Sequence, residues 1–398
     1  HELSARVMLQ LDQYNNTSAW LSTRNGPSVN VVDPAVGAPI NWMGSGSNEI
    51  RALGSMLSVN YKLKDRYIFS GIVRADANSK FGVNNRWGIF PSLSAAWRFS
   101  KEPFMEWASN HMTEGKFRIS YGQSGKQPNA AYDRHGIFNI PNTPEYIEST
   151  IVVPTQVQLA NLKWQTITSA NLGLDLTMFE NRLFVTAELY DKVTTDLLWD
   201  WYDIPSTTGF ESLRYFNGGK VRNWGWETFF WSYVVRKNDL NVAVNFNISR
   251  NRNTFMEFPE NFNTIRGEVV ANGIYPRQAN VGQPIGSFYG FKFLGVYVDE
   301  EDTYARNAEG AIRVDSNGDP IPMSFATGHL FEAGDAKYED VNKDGVIDIN
   351  DAQYLGDSNP DFIGGFGANM DYKNFRASFQ FMFRTGFDIV NQIAMDTE

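Results

Sequence analysis

The spacing of its polar turns constrains this chain more than any other feature. Stretches in which apolar and polar residues alternate are joined by connections that are short and long in turn. Short polar turns stand at Lys62–Asp65, Phe179–Arg182, Arg236–Asp239 and Lys373–Asn374, and long connections run over 15–48, 125–165, 195–219 and 252–361. Two connections fit less neatly. The 77–86 loop is of moderate length, and 100–115 is not short, its run from Pro103 to Met112 reading as a helical turn. Alternation at period two marks strands with unlike faces. A soluble sandwich alternates as well, but it has no reason to sort its connections by parity. A β-barrel that crosses a bacterial outer membrane does, because its turns on one side are short and its loops on the other are long.

About eleven such segments are expected, at 3–14, 49–61, 66–76, 87–99, 116–124, 166–177, 183–194, 220–235, 240–251, 362–372 and 375–386. Several approach the ~9–11 residues that carry a tilted strand across a bilayer. In the first, Leu3, Ala5, Val7, Leu9 and Leu11 share one face while Arg6, Gln10 and Asp12 share the other. In 375–384, Phe375, Ala377, Phe379, Phe381 and Phe383 oppose Arg376, Ser378, Gln380 and Arg384. The expected fold is all-β, a transmembrane antiparallel β-barrel with long extracellular loops. Single-chain bacterial barrels have an even number of strands. An odd count therefore predicts that 1–398 is one partial barrel domain, with 252–361 as a long extracellular loop region, and the start at His1 and the end at Glu398 soon after the last segment read as cuts.

Composition agrees where it bears on this. Aromatic residues reach 14%, and barrels use them as girdles at both membrane interfaces. No apolar run approaches the ~18 residues of a spanning helix. Cysteine is absent, which removes thiolate metal sites and cysteine nucleophiles. A net charge of -10 argues against nucleic acid as a partner, since phosphate binding needs a basic face. The four histidines, His1, His111, His135 and His329, are scattered and form no metal-binding pair.

Several stretches occur together in one order. They are Asn84-Asn85-Arg86-Trp87-Gly88-Ile89-Phe90-Pro91-Ser92, then Ser120-Tyr121-Gly122-Gln123-Ser124-Gly125, then Asn161-Leu162-Lys163-Trp164-Gln165-Thr166. Ile204 to Phe210, Gly219 to Glu227, Gly282 to Gly290 and Gly334 to Phe375 follow. As an ordered set covering most of 49–386, they resemble the SusC/RagA family of TonB-dependent transporters of Bacteroidetes-type bacteria. Residues 1–48 match poorly. The resemblance implies an outer-membrane barrel of about twenty-two strands that imports oligosaccharides or peptides. It also implies a SusD-like surface lipoprotein as partner, and energy from TonB-ExbB-ExbD through a plug domain, which is not recognised in these residues.

One motif carries chemistry of its own. Asp340, Asn342 and Asp344 occupy positions one, three and five of a calcium-type loop, with Gly345 at six, Val346 at seven, Asp348 at nine and Asp351 at twelve. Calcium wants six to eight hard oxygens, and this spacing wraps them round one point, with Val346 giving a carbonyl. Asp351 in place of the usual Glu suggests a looser geometry. The bland alternative is a solvated acidic turn. A bound Ca2+ would stiffen the loop rather than catalyse. Trp199, Trp201 and Tyr202 cluster in a long connection and are weak candidates for stacking on a sugar ring. Packing within the loop or an interface girdle is their plainer reading.

Two rival classes remain. An extracellular glycan-degrading enzyme needs two carboxylates poised across a cleft, and no such pair or other catalytic motif stands out, so no enzyme is expected. A soluble calcium-dependent glycan-binding module shares the loop and the alternation but requires neither apolar faces toward lipid nor parity-sorted loops.

Overall fold

Eleven long strands form where the alternation lies. In the computed structural model, which describes residues 1–23, 40–129, 131–139, 152–210, 212–259 and 280–389, β1 is Glu2–Thr23, β2 Ile40–Leu63, β3 Tyr67–Asn78 and β4 Trp87–Trp97. Then come β5 Met112–Lys126, β6 Gln165–Met178, β7 Leu183–Thr195 and β8 Lys220–Arg236. β9 is Leu240–Glu257, β10 Phe362–Tyr372 and β11 Phe375–Thr385. They make one eleven-stranded sheet in which every strand lies beside its neighbour in sequence. The chain divides into two compact units, one of 1–222, 226–245 and 369–376, the other of 223–225, 246–368 and 377–398.

Most strand ends lie within a few residues of those expected. The differences are at β1, β2 and β9. The first hairpin continues in register to Ser18 opposite Gly46 and Leu21 opposite Met43, so its connection is shorter than 15–48. Residues 15–18 and 44–48 are small and polar on both faces, so the hydropathy pattern stops while backbone pairing goes on. That is the behaviour expected of strands rising past the bilayer into water. Likewise β9 runs on through Arg250, Asn251, Arg252 and Asn253.

Register carries each face across the first unit. Val7 lies opposite Leu57, and Leu57 opposite Val73. Ala75 lies opposite Ile89, Leu93 opposite Tyr121, and Ile119 opposite Leu172, which faces Leu189. This is the apolar face, and it is uncovered: Val7 is 80% exposed and Leu93 66%. In water so large an apolar patch would be untenable for a monomer; against lipid it is the native solvent contact. On β4 the face reads Trp87, Ile89, Pro91, Leu93, Ala95, Trp97, with an indole at each end. Ten steps at about 3.3 Å, tilted by roughly 40°, give about 25 Å, the height of the apolar band of an outer-membrane barrel. Pro91 is tolerated because β4 pairs with β5 only over Ser92–Trp97, so its missing N–H breaks no bond on that side.

The short turns have the required chemistry. Lys64 and Asp65 both have positive φ, 53° and 56°, and Arg66 N–H donates to Leu63 O at 3.0 Å, a type I′ hairpin turn. Hydrogen bonds from Lys101 and then Lys62 hold the Asp65 carboxyl well below the usual carboxylate range. The 100–115 segment holds two 3-10 turns, Phe99–Lys101 and Pro103–Ala108.

Candidate functional site

The polar face is a lattice of paired charges. Arg74 donates to Asp76 at 2.6 Å, and Gln10 donates to Asp12 at 2.8 Å. Farther along, Arg118 reaches Asp175 at 3.2 Å and Glu188 at 3.0 Å, and Lys116 adds a bond to Asp175 at 2.9 Å. Gly173 makes room for this, since a Cβ there would lie 2.5 Å from Arg118 Cζ. Charges in such number have no place against hydrocarbon. They line water, so this face belongs to the lumen of a barrel.

Between β1 and β6 the polar face holds a cavity of about 480 Å³, lined by Asp12, Arg74, Asp76, Gln123, Phe90 and Trp164 among others. Its aromatic side is where the ordered motifs meet. Trp164 lies 4.2 Å from Phe81 and 5.4 Å from Phe90 between ring centroids, and its indole N–H donates to Arg86 O at 3.2 Å. Asn85 Nδ2 donates to Asn161 O at 3.0 Å. Gly125 lets the rings lie on the strand, since a Cβ there would sit 2.2 Å from Phe90 Cζ. Phe81 is fully buried. Stretches far apart in sequence thus form one seam at the end of the sheet that bears the long loops. Lys80 closes it from beyond: its ammonium donates to Pro128 O at 3.0 Å and Asn129 O at 2.8 Å, and burial pushes its pKa down.

The long connection between β9 and β10 is different. Over 287–357 it has its own apolar core of Tyr297, Ala305, Met323, Phe331 and Ile347. Three short pairings frame it: Ser287–Gly290 with Gln353–Asp357, Phe293–Val296 with Ala336–Tyr338, and Ser324–Phe325 in parallel with Val346–Ile347. The calcium-type loop caps this core. Lys343 and Gly345 take the positive φ that its turn needs, 61° and 88°. Asp340 accepts from Asp344 N at 3.2 Å and Gly345 N at 2.9 Å, Asn342 from Asp344 N at 2.9 Å, and Asp344 from Val346 N at 2.8 Å. Asp348 accepts from Asn350 N at 2.8 Å. Asp351, 0% exposed, accepts from Val341 N at 2.8 Å and Asp348 N at 2.9 Å. A carboxylate has about four lone-pair positions, so these bonds leave acceptor capacity, and the donor set suits calcium in kind. Its arrangement suits less well: among the described residues no three His, Cys, Asp or Glu side chains form a group able to hold a metal ion.

Residues 4–319 match the family described as TonB dependent receptor-like, beta-barrel. The chain belongs to this family. Its place is accordingly the outer membrane. The TonB-dependent receptor P26 of Formosa agariphila is 33% identical over 338 residues, covering 84% of this chain and 32% of that protein. SusC of Bacteroides thetaiotaomicron is 28% identical over 332 residues, 81% of this chain and 30% of that protein. The chain thus spans about a third of the length of the curated relatives it matches. Its fold matches that of the RagAB peptide importer in the closed-closed state with a TM-score of 0.75, at 20% identity, covering 97% of this chain and 39% of that one.

Within this receptor barrel the predicted stacking residues fall on a hairpin, Leu198–Asp203 paired with Ser212–Asn217. Trp199 donates its indole N–H to Gly218 O at 2.7 Å and stacks on Phe216 with centroids 6.3 Å apart, which is packing within the loop. The side chains of Trp201 and Tyr202 lie outside the described part of the structure. Sequence reasoning missed Phe81, Phe90 and Trp164 as a cluster, although the glycines within their motifs, Gly88 and Gly125, were the available signal of rings lying close on backbone.

Proposed function

We propose that this chain is barrel wall of a TonB-dependent importer carrying oligosaccharides or peptides across the outer membrane. It acts with a SusD-like surface lipoprotein and takes energy from TonB-ExbB-ExbD through a plug domain. The observation that carries this reading is the pairing of an uncovered apolar face with a charged, amide-rich opposite face on the same strands. A lumen so lined offers hydrogen bonds to hydroxyls or peptide groups of a polar cargo, while the rings of Phe90 and Trp164 offer an apolar contact beside them. Likeness in fold to a peptide importer supports the peptide class, and the oligosaccharide class rests on what the resemblance to the SusC/RagA family implies. The test is mass spectrometry of what co-purifies with the intact complex from cells grown on mixed glycans and peptides. A bound oligosaccharide or peptide is expected; enrichment of neither overturns the reading.

The proposal extends to Ca2+ as a structural ion, held by Asp340, Asn342, Asp344, Val346, Asp348 and Asp351. Its support is the order of hard oxygen donors and the turn at Gly345. Protease protection of 330–355 should fall on chelation and return with calcium, and Asp344→Ala should behave as the chelated parent. Protection indifferent to chelator would leave an acidic turn closed by its own amides.

A further inference from the structure

We propose that the segment 99–111, between β4 and β5, is a membrane anchor that lies in the headgroup layer of the inner leaflet of the outer membrane. It sits at the end of the sheet that carries the short turns, the periplasmic end of a barrel. At that end Lys373-Asn374 suffice to reverse the chain between β10 and β11. Here thirteen residues are spent, and they form the 3-10 turns Phe99–Lys101 and Pro103–Ala108.

A 3-10 helix has three residues per turn, so residues i and i+3 stand on one side. Phe104 and Trp107 are so related, and they are 61% and 78% exposed, while Ala108 is buried. Their side continues the apolar face of the sheet. Phe104 lies 6.3 Å from the ring of Trp97, which ends that face on β4. Trp97 in turn lies 5.9 Å from Phe99 and 6.4 Å from Phe117, which belongs to the same face on β5. The lipid-facing band therefore runs off the strand ends and onto the segment without a break.

Polar atoms mark the level at which hydrocarbon gives way to headgroups. Glu102 accepts from the Tyr67 hydroxyl at 2.7 Å, the Trp97 indole N–H at 3.0 Å and Arg66 at 3.1 Å. Tyr67 and Trp97 are register partners on the apolar face, and both direct their polar tips toward the turn. Tyrosine and tryptophan take this orientation where one end of the ring is dry and the other wet. Glu102 ties the segment to those tips, which holds Phe104 and Trp107 beside the lipid instead of beneath the lumen. A periplasmic partner would meet Phe104 from below; lipid meets it as the next step of a surface lipid already covers.

Nitroxide labels at single cysteines test this in the full-length protein reconstituted in phosphatidylethanolamine–phosphatidylglycerol vesicles. The variants are Phe104→Cys, Trp107→Cys and Glu106→Cys, with Leu93→Cys as the lipid reference and Lys64→Cys as the aqueous one. Labels at 104 and 107 are expected to favour oxygen over a water-soluble nickel chelate more than labels at 106 and 64 do, and less than the label at 93. Chelate access at 104 and 107 equal to that at 64 would place the segment in the periplasm and overturn the proposal. Shielding from both reagents would mean that protein covers the rings, which overturns it equally. Positions 104 and 107 report separately, so loss of one variant leaves the other to decide.

Discussion

The sheet and the 287–357 connection are built inside out from each other. Along the strands the large apolar residues are the uncovered ones, Val7, Ile89, Leu93 and Ile119, and the charges Arg74, Asp76, Arg118 and Asp175 pair on the opposite face. In the connection, Tyr297, Met323, Phe331 and Ile347 are buried and the acidic residues lie outside or are held by backbone amides. The first arrangement is stable because lipid replaces water as solvent for one face and the backbone bonds are all made between strands. The second obeys the ordinary hydrophobic effect. One chain thus answers to two solvents, and the same substitution has different consequences in each.

Truncation in the water-solvated core gives the largest expected effect. Ile347 is 1% exposed, so Ile347→Ala leaves a cavity and should cost about 2–5 kcal/mol. Proteolysis should then enter 287–357 while the heat-modifiable band of the folded barrel persists on gels. Loss of the barrel together with the loop would show that the connection does not fold as a core of its own. Next in size is a charge on the lipid face. Leu93→Arg should cost about 2–4 kcal/mol near the bilayer midplane, whereas Ser94→Arg, one residue away on the polar face, should cost less than about 0.5 kcal/mol. Urea titration of the refolded protein in vesicles compares them. Equal costs at 93 and 94 would abolish the distinction between the faces.

The two regions also differed in how legible they were in the sequence. Strand positions could be read because burial in lipid imposes a period of two at every crossing, as in Leu3 to Leu11. Where β1, β2 and β9 leave the membrane, both faces meet water, the period fades, and their full length was hidden. The core of 287–357 was hidden for another reason. Its members are single residues separated by turns, Tyr297, Ala305, Met323, Phe331 and Ile347, with no helical or strand period to join them. The calcium-type loop could be read from local spacing alone, but whether its oxygens converge depends on that unseen core. The seam joins Trp164 to Phe81 and Phe90, dozens of residues before it, and only the register of β3 through β6 brings them together.

The smallest expected effect sharpens the comparison through pH. Burial, with the nearby carboxylates of Asp302, Asp340 and Asp335, pushes the Tyr297 phenol up to about 12, from an ordinary value of about 10. Below about 10 the phenol is protonated whether the connection is folded or not, and its contribution is fully present. Between there and about 12 the folded form keeps a proton that the unfolded form releases. The folded form therefore binds more protons in this window, and stability must fall as pH rises through it. Tyr297→Phe retains the ring against Phe331, 5.2 Å away, and under the Lys337 ammonium, 5.4 Å from its centroid, and removes the ionisation. Protease protection of 287–357 should therefore survive to higher pH in the variant than in the parent, while protection of the strands, which the substitution does not touch, is the same in both. A parent and variant that lose loop protection at the same pH would show that another group sets the alkaline limit of the water-solvated core.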